Sequence, residues 1–64
     1  MVIINSEERN VAGKILSEYL ADENYNCKHI AVERNGEIVP KREYDKTLLQ
    51  EGDKLEIVRF VGGG

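Results

Sequence analysis

The two most apolar segments of this 64-residue chain lie near its two ends. The first, Val2-Ile3-Ile4, is a run of β-branched residues, which is typical of a short strand buried on both faces. The second, residues 54–61, alternates but places apolar residues on both faces. Strands of this kind belong in the middle of a sheet, and we expect the two to lie side by side.

One segment between them has a helical period. Ile15, Leu16, Tyr19 and Leu20 fall within an arc of about 140°, and small or polar residues occupy the other side. This pattern predicts an amphipathic helix of about ten residues. It should end near Glu23-Asn24, where the apolar positions stop.

Two hairpins are predicted. In the first, residues 5–8 form a polar turn and residues 9–11 return beside the first strand. In the second, residues 28–34 form a strand, Asn35-Gly36 form a tight turn, and residues 37–39 run back.

The stretch of residues 41–50 has no clean period. We expect a loop or a single helical turn anchored by Tyr44, Leu48 and Leu49. The element order predicts an α+β fold, a β-grasp with a mixed sheet of four to five strands and one main helix on one face. Residues 1–61 form the single domain, and residues 62–64 form a flexible tail.

Composition narrows the possible partners. Twelve acidic against nine basic residues give a net charge of −3, so nucleic acid is an improbable partner and a basic protein surface a better one. The chain shows no apolar run of the roughly 20 residues that a membrane span needs, and no signal peptide is evident at its start. We therefore expect a cytoplasmic protein without a membrane partner.

The single cysteine, Cys27, lies two residues from the single histidine, His29. On one strand they would share a face, which is one requirement of a catalytic thiol and imidazole pair. The alternative is that both decorate a partly exposed strand end, and this interpretation is preferred. No metal site is predicted.

A single helix covers only part of one sheet face, so two placements are open for the side chains of Val58 and Phe60. Either they stay partly exposed as a docking surface, or they pack beneath the irregular connection. The sequence leaves both open.

The chain ends in Gly62-Gly63-Gly64. Three extended residues reach about 10 Å, and without side chains they can thread a narrow channel and bring a terminal carboxylate to a reactive centre. A frayed end would look similar, so the triplet gains meaning only with the fold that precedes it.

At the level of motifs, the chain resembles the ThiS family of sulfur carriers, within the ubiquitin-like β-grasp superfamily. The resemblance rests on residues 30–40, which contain Asn-Gly-Glu-Ile-Val-Pro, on Tyr44, on residues 49–58 with the Gly-Asp turn, and on Gly63-Gly64. One departure is Ile15, where the family often has a Thr that caps the helix in partnership with Glu18.

The resemblance implies a carrier, and not an enzyme. A ThiF-type adenylating enzyme would use ATP to activate the carboxylate of Gly64, and a sulfur donor protein would convert it to a thiocarboxylate. This would deliver sulfur to a ThiG-type thiazole synthase for the thiazole ring of thiamine. Gly62 and Gly63 would permit entry, Val58, Phe60 and Val61 would contact the partners, and no bound cofactor or catalytic residue is expected.

Three other classes of function stay open on the sequence alone. A MoaD-like carrier of molybdenum cofactor synthesis shares the fold and the Gly-Gly end, and a ubiquitin-like modifier shares the adenylation step. A plain binding module would have an incidental tail. An enzyme is the least favoured class, because the acidic residues are scattered along polar faces.

Overall fold

A five-stranded mixed sheet with the strand order β2-β1-β5-β3-β4 organises the computed structural model, which describes residues 1–61. The expectations for Gly62, Gly63 and Gly64 lie outside these residues. The strands are β1 (Val2–Ile4), β2 (Glu7–Arg9), β3 (Ile30–Arg34), β4 (Glu37–Ile38) and β5 (Lys54–Arg59), and the helix is α1 (Leu16–Asp22).

The first and last strands lie side by side at the centre of the sheet, as predicted. β1 and β5 pair in parallel, while β2 and β3 pair antiparallel to β1 and β5, respectively. A parallel pair requires a long crossover, and α1 lies within it. The α+β fold and the β-grasp topology are therefore confirmed.

The helix is seven residues long, shorter than the expected ten or so residues. Its N-cap is Ile15, whose side chain makes no capping hydrogen bond. Instead, the N–H groups of Leu16 and Ser17 donate to the carbonyls of Thr47 and Tyr44, at 2.8 and 3.1 Å. The connection between β4 and β5 thus satisfies donors that a helix start otherwise leaves unpaired.

The N-terminal hairpin is tighter than predicted. Asn5 and Ser6 both have positive φ, 51° and 70°, which permits a two-residue turn. The return strand is therefore Glu7–Arg9, and its placement at residues 9–11 was wrong. The sequence lacks Gly at this turn, and Asn-Ser is a weaker signal for it.

The second hairpin has its turn at Asn35-Gly36, as predicted, with φ values of 53° and 87°. Its first strand begins at Ile30, two residues later than expected. A 3₁₀ turn, Cys27–His29, precedes it. The side chain of Asn26 accepts a hydrogen bond from Lys28 N–H at 3.0 Å, and this local cap starts the turn.

The core lies between α1 and one face of the sheet. Tyr44 and Leu49 are buried as expected, but Leu48 is 44% exposed, so it does not anchor the connection to the core. Leu48 forms an isolated β-bridge with Ile15. Ile3 is 37% exposed, so β1 is covered on one face only and the prediction of two buried faces was wrong. The buried apolar set comprises Val2, Ile4, Leu16, Tyr19, Leu20, Ile30, Val32, Tyr44, Leu49, Leu55 and Ile57.

The Asn5 side chain extends the pairing between β1 and β5. The N–H of Asn5 donates to the carbonyl of Leu55 at 3.0 Å. Beyond this point the amide side chain continues the ladder, since Nδ2 donates to the Ile57 carbonyl at 3.1 Å and Oδ1 accepts from Ile57 N–H at 2.7 Å. A turn residue therefore serves as one more rung of the central pair.

We predict that Asn5→Asp lowers the free energy of unfolding by about 1 to 3 kcal/mol at neutral pH. Aspartate tolerates the left-handed turn but faces the Ile57 carbonyl with an oxygen in place of a donor. Urea denaturation measures the effect. Asn10→Asp, the same change at an exposed position, should shift stability by no more than about 0.5 kcal/mol. Equal stabilities of the two variants would contradict the role of Asn5.

Asp53 joins the turn before β5 to the second hairpin. Its carboxylate accepts from Gln50 N–H at 2.9 Å, Asn35 Nδ2 at 3.1 Å and Arg34 Nε at 3.0 Å. Burial of this carboxyl raises its pKa, but the donated hydrogen bonds and the Arg34 charge outweigh burial and hold the pKa below its ordinary value. The ionised form therefore stabilises the fold.

Asp53→Asn should reduce stability at pH 7 by about 1 to 3 kcal/mol. Because the folded pKa is depressed, this contribution is present above the unfolded pKa of about 3.9 and is lost as the pH falls through the folded pKa. Unfolding curves from pH 7 to about 2 should accordingly be flatter for Asp53→Asn than for the native chain. Asp45→Asn at an exposed site is the matched control and should preserve the native slope.

Candidate functional site: the open sheet face and the root of the tail

The sheet has one face without a covering layer. In β5, Leu55 and Ile57 are buried beneath α1, whereas Val58 is 59% exposed on the opposite face. Val58 pairs with Ala31 of β3. Of the two alternatives for Val58, packing beneath the irregular connection is therefore wrong, and exposure on the open face is correct.

Phe60 and Val61 continue this surface towards the tail. Phe60 is 41% exposed and Val61 is 99% exposed. The N–H of Phe60 donates to the His29 carbonyl at 2.9 Å, so the backbone is still fixed one residue after β5 ends. Packing beneath the connection is again contradicted. The tail therefore begins from a defined position beside an apolar surface.

Two cations border the root of the tail. Lys41 Nζ lies 6.0 Å from the centroid of the Phe60 ring, at the outer limit of a cation–π contact. Arg59 lies closer to its aromatic partner, with Cζ 4.3 Å from the centroid of the Tyr25 ring. The sequence analysis singled out neither Lys41 nor Arg59, because each meets its aromatic partner only where segments distant in the chain come together in the fold.

A cleft of about 310 Å³ opens at this point. Arg59, Phe60 and Val61 form one side, and Asn24 and Asn26 contribute from the loop after α1. Its polar lining side chains are the two asparagine amides, the Arg59 guanidinium and the His29 imidazole, and no carboxylate is among the described lining residues. The cleft therefore lies directly beside Val61, the last described residue.

The possible pair of Cys27 and His29 does not form a catalytic arrangement. Both residues lie in the 3₁₀ turn before β3 and not on the strand. Cys27 is half-buried and packs against the core, whereas His29 is exposed. Within residues 1–61, no group of three His, Cys, Asp or Glu side chains is placed to hold a metal ion.

Val58, Phe60 and Val61, the three predicted contacts, lie together along the end of β5 and the residues after it. No helix among residues 1–61 is long and apolar enough to span a membrane.

Known proteins resemble this chain over nearly its whole length. A family model described as the ThiS family matches residues 2–64. The sulfur carrier protein ThiS of Thermus thermophilus is 36% identical over 64 residues, which is 100% of both chains. A crystal structure of the thiamine biosynthesis protein (ThiS) from Geobacter metallireducens superposes with a TM-score of 0.77 at 25% identity, and the match covers 98% of this chain and 97% of that one.

Other relatives are much longer. A thiazole synthase from Paramagnetospirillum magneticum is 48% identical over 64 residues, which is 98% of this chain and 20% of that protein. A thiazole synthase from Magnetococcus marinus is 39% identical and is matched over 19% of its length. The chain thus spans about a fifth of these two relatives.

The parallel pair of β1 and β5 at the centre of the mixed sheet and the single helix define a β-grasp domain. The match over residues 2–64 then specifies which one. The chain belongs to the ThiS family, as its hairpin, Gly-Asp turn and glycine end predicted.

Neighbouring residues of β5 provide a test of the open face. Val58→Thr should change the free energy of unfolding by no more than about 0.5 kcal/mol, because the side chain is exposed and threonine keeps the β-branched shape. Ile57→Thr makes a similar change on the buried face and should cost about 2 kcal/mol or more. Chemical denaturation compares the two, and a large loss for Val58→Thr would show that this face is covered.

Proposed function

We propose that this protein carries sulfur as a thiocarboxylate on Gly64 and delivers it for the thiazole ring of thiamine. The observation that supports this most strongly is the ThiS family match, which extends over residues 2–64 and includes the glycine triplet. The relative from Thermus thermophilus, matched over its full length, is named a sulfur carrier protein.

Activation comes first, because a carboxylate is a poor acyl donor. In the proposed reaction, a carboxylate oxygen of Gly64 attacks the α-phosphorus of ATP on a ThiF-type enzyme, and pyrophosphate leaves. The acyl-adenylate then has AMP as its leaving group. A sulfur nucleophile supplied by a donor protein attacks the carbonyl carbon, AMP departs, and a thiocarboxylate remains.

The chain's own residues serve recognition and access. Gly62 and Gly63 have no side chains, so they fit a channel that leads to a buried active centre. Val58, Phe60 and Val61 form the apolar contact with the partner enzymes. Their exposure next to the root of the tail supports this role, since apolar surface of this kind marks interaction sites. ATP belongs to the activating enzyme, and the chain needs no cofactor of its own.

The acceptor in this proposal is a ThiG-type thiazole synthase. Two relatives that contain a segment similar to this chain are named thiazole synthases. A carrier segment within the same polypeptide has a high effective concentration at its acceptor. We propose that this chain makes the corresponding contact with its acceptor.

We predict that removal of Gly64 abolishes sulfur loading while the fold is retained. The native protein, incubated with ATP, a ThiF-type enzyme and sulfide, should gain the mass that corresponds to replacement of one oxygen by sulfur. The truncated protein should gain neither this mass nor an AMP adduct. Intact-mass spectrometry measures both products.

Thermal unfolding of the truncated protein is the control, and its midpoint should match that of the native chain. A truncated protein that still acquires sulfur would overturn the assignment of Gly64. A native protein that acquires none, with an enzyme active on another carrier, would overturn the proposed function. Covalent conjugates to lysine in cell extract would favour a ubiquitin-like modifier instead.

A further inference from the structure

Two glutamates face each other on the open sheet face. Glu33 of β3 and Glu56 of β5 are register partners in the antiparallel ladder, and both are exposed. Directly opposite side chains in such a pair have Cβ atoms only about 5 Å apart, and like charges in this position destabilise a sheet.

Within residues 1–61, neither member of this acidic pair forms an ion pair. The ion pairs within residues 1–61 involve Glu7, Asp22, Glu51 and Asp53, and neither Glu33 nor Glu56 has a cation within 4.0 Å. Lys54 lies on the same face of β5 as Glu56, yet the two form no ion pair. No ion pair therefore offsets the repulsion between the two carboxylates.

The acidic pair is continuous with the apolar contact surface. Two residues along the ladder from Glu33 and Glu56 lies the pair of Ala31 and Val58, on the same face. On the other side of Glu33, Ile38 of β4 is its register partner and is 66% exposed. A partner that covers Val58 thus also covers the two carboxylates.

The surface beside the pair has room for a long side chain. A hollow of about 390 Å³ lies between the strands, and Glu33, Glu56 and Lys54 line it together with Asn35 and Gly36 at the turn. Two carboxylates at the wall of a hollow suit a guanidinium or ammonium group, because a charge-assisted hydrogen bond is strongest between such ions.

We infer that Glu33 and Glu56 receive an arginine or lysine side chain of the thiazole synthase, beside its apolar contact with Val58. This inference rests on the proposed function, which names that acceptor. The relatives that combine a similar segment with a thiazole synthase favour this partner. Charge complementarity at the rim of an apolar contact fixes the orientation of the docked protein. Here it would fix the orientation of Phe60 and Val61, the residues that precede the glycine tail.

The test measures binding of the native chain and of the double variant E33Q/E56Q to the thiazole synthase of the same organism. By calorimetry at about 50 mM salt, the double variant should bind about tenfold more weakly. At about 500 mM salt the difference should shrink to about twofold, because exposed charges are screened. The melting midpoint of the free double variant should rise by about 2 to 5 °C, because the repulsion is removed.

Weaker binding together with higher stability is the expected signature, since a purely structural role would move both in the same direction. The matched control is E18Q/E23Q, which removes the same two charges at exposed positions around the helix. It should leave the affinity unchanged.

Three results would overturn the inference. The first is that E33Q/E56Q binds as tightly as the native chain. The second is that E18Q/E23Q weakens binding equally, because the effect would then come from net charge alone. A native chain that fails to bind the synthase, although it is loaded with sulfur on Gly64, would overturn both this inference and the choice of acceptor, while the carrier function would stand.

Discussion

The parallel pairing of β1 with β5 is the constraint on which the structure depends. It joins residues near the start of the chain to residues near its end, so the crossover that carries α1 must close before the pair can form. Only two register pairs, Ile3 with Lys54 and Ile4 with Leu55, belong to this ladder. The side chain of Asn5 adds a further rung at Ile57, and the Asp53 carboxylate holds the turn from which β5 starts.

This arrangement gives the two faces of one strand different roles. The central strand buries Leu55 and Ile57 beneath the helix and turns Val58 outward, so the same strand builds the core and exposes the apolar side chain that we propose as a partner contact. The backbone remains fixed as far as Phe60 through its bond to His29. In the proposed carrier function, the surface that the partner enzymes would contact thus lies directly beside the residues that precede the glycine triplet.

Much of the fold followed from local patterns in the sequence. The β-branched run at Val2-Ile3-Ile4, the period through Leu16 and Leu20, and the Asn35-Gly36 turn each have a direct physical meaning, and each predicted its element. The errors concern features that depend on partners distant in the chain. The side chain of Asn5, in the tight first turn, is held by hydrogen bonds to Ile57. The exposed Leu48 pairs with Ile15 in an isolated bridge, and the first N–H groups of α1 donate to carbonyls beyond residue 40. At the site, Val58 and Phe60 were recognisable by alternation, whereas the opposition of Glu33 and Glu56 emerges only from the strand register.

The helix start has a consequence for how the molecule opens. Because Ile15 provides no side-chain cap, the first turn of α1 depends on the carbonyls of Tyr44 and Thr47. Thr47 is itself held, since its hydroxyl donates to the Glu43 carbonyl at 2.7 Å. We therefore expect fraying of the helix and detachment of the connection to occur together, and the two segments to exchange their amide hydrogens as one cooperative unit. Lys41, which lies beside the Phe60 ring, belongs to the same connection, so opening of this unit also changes the surroundings of Phe60.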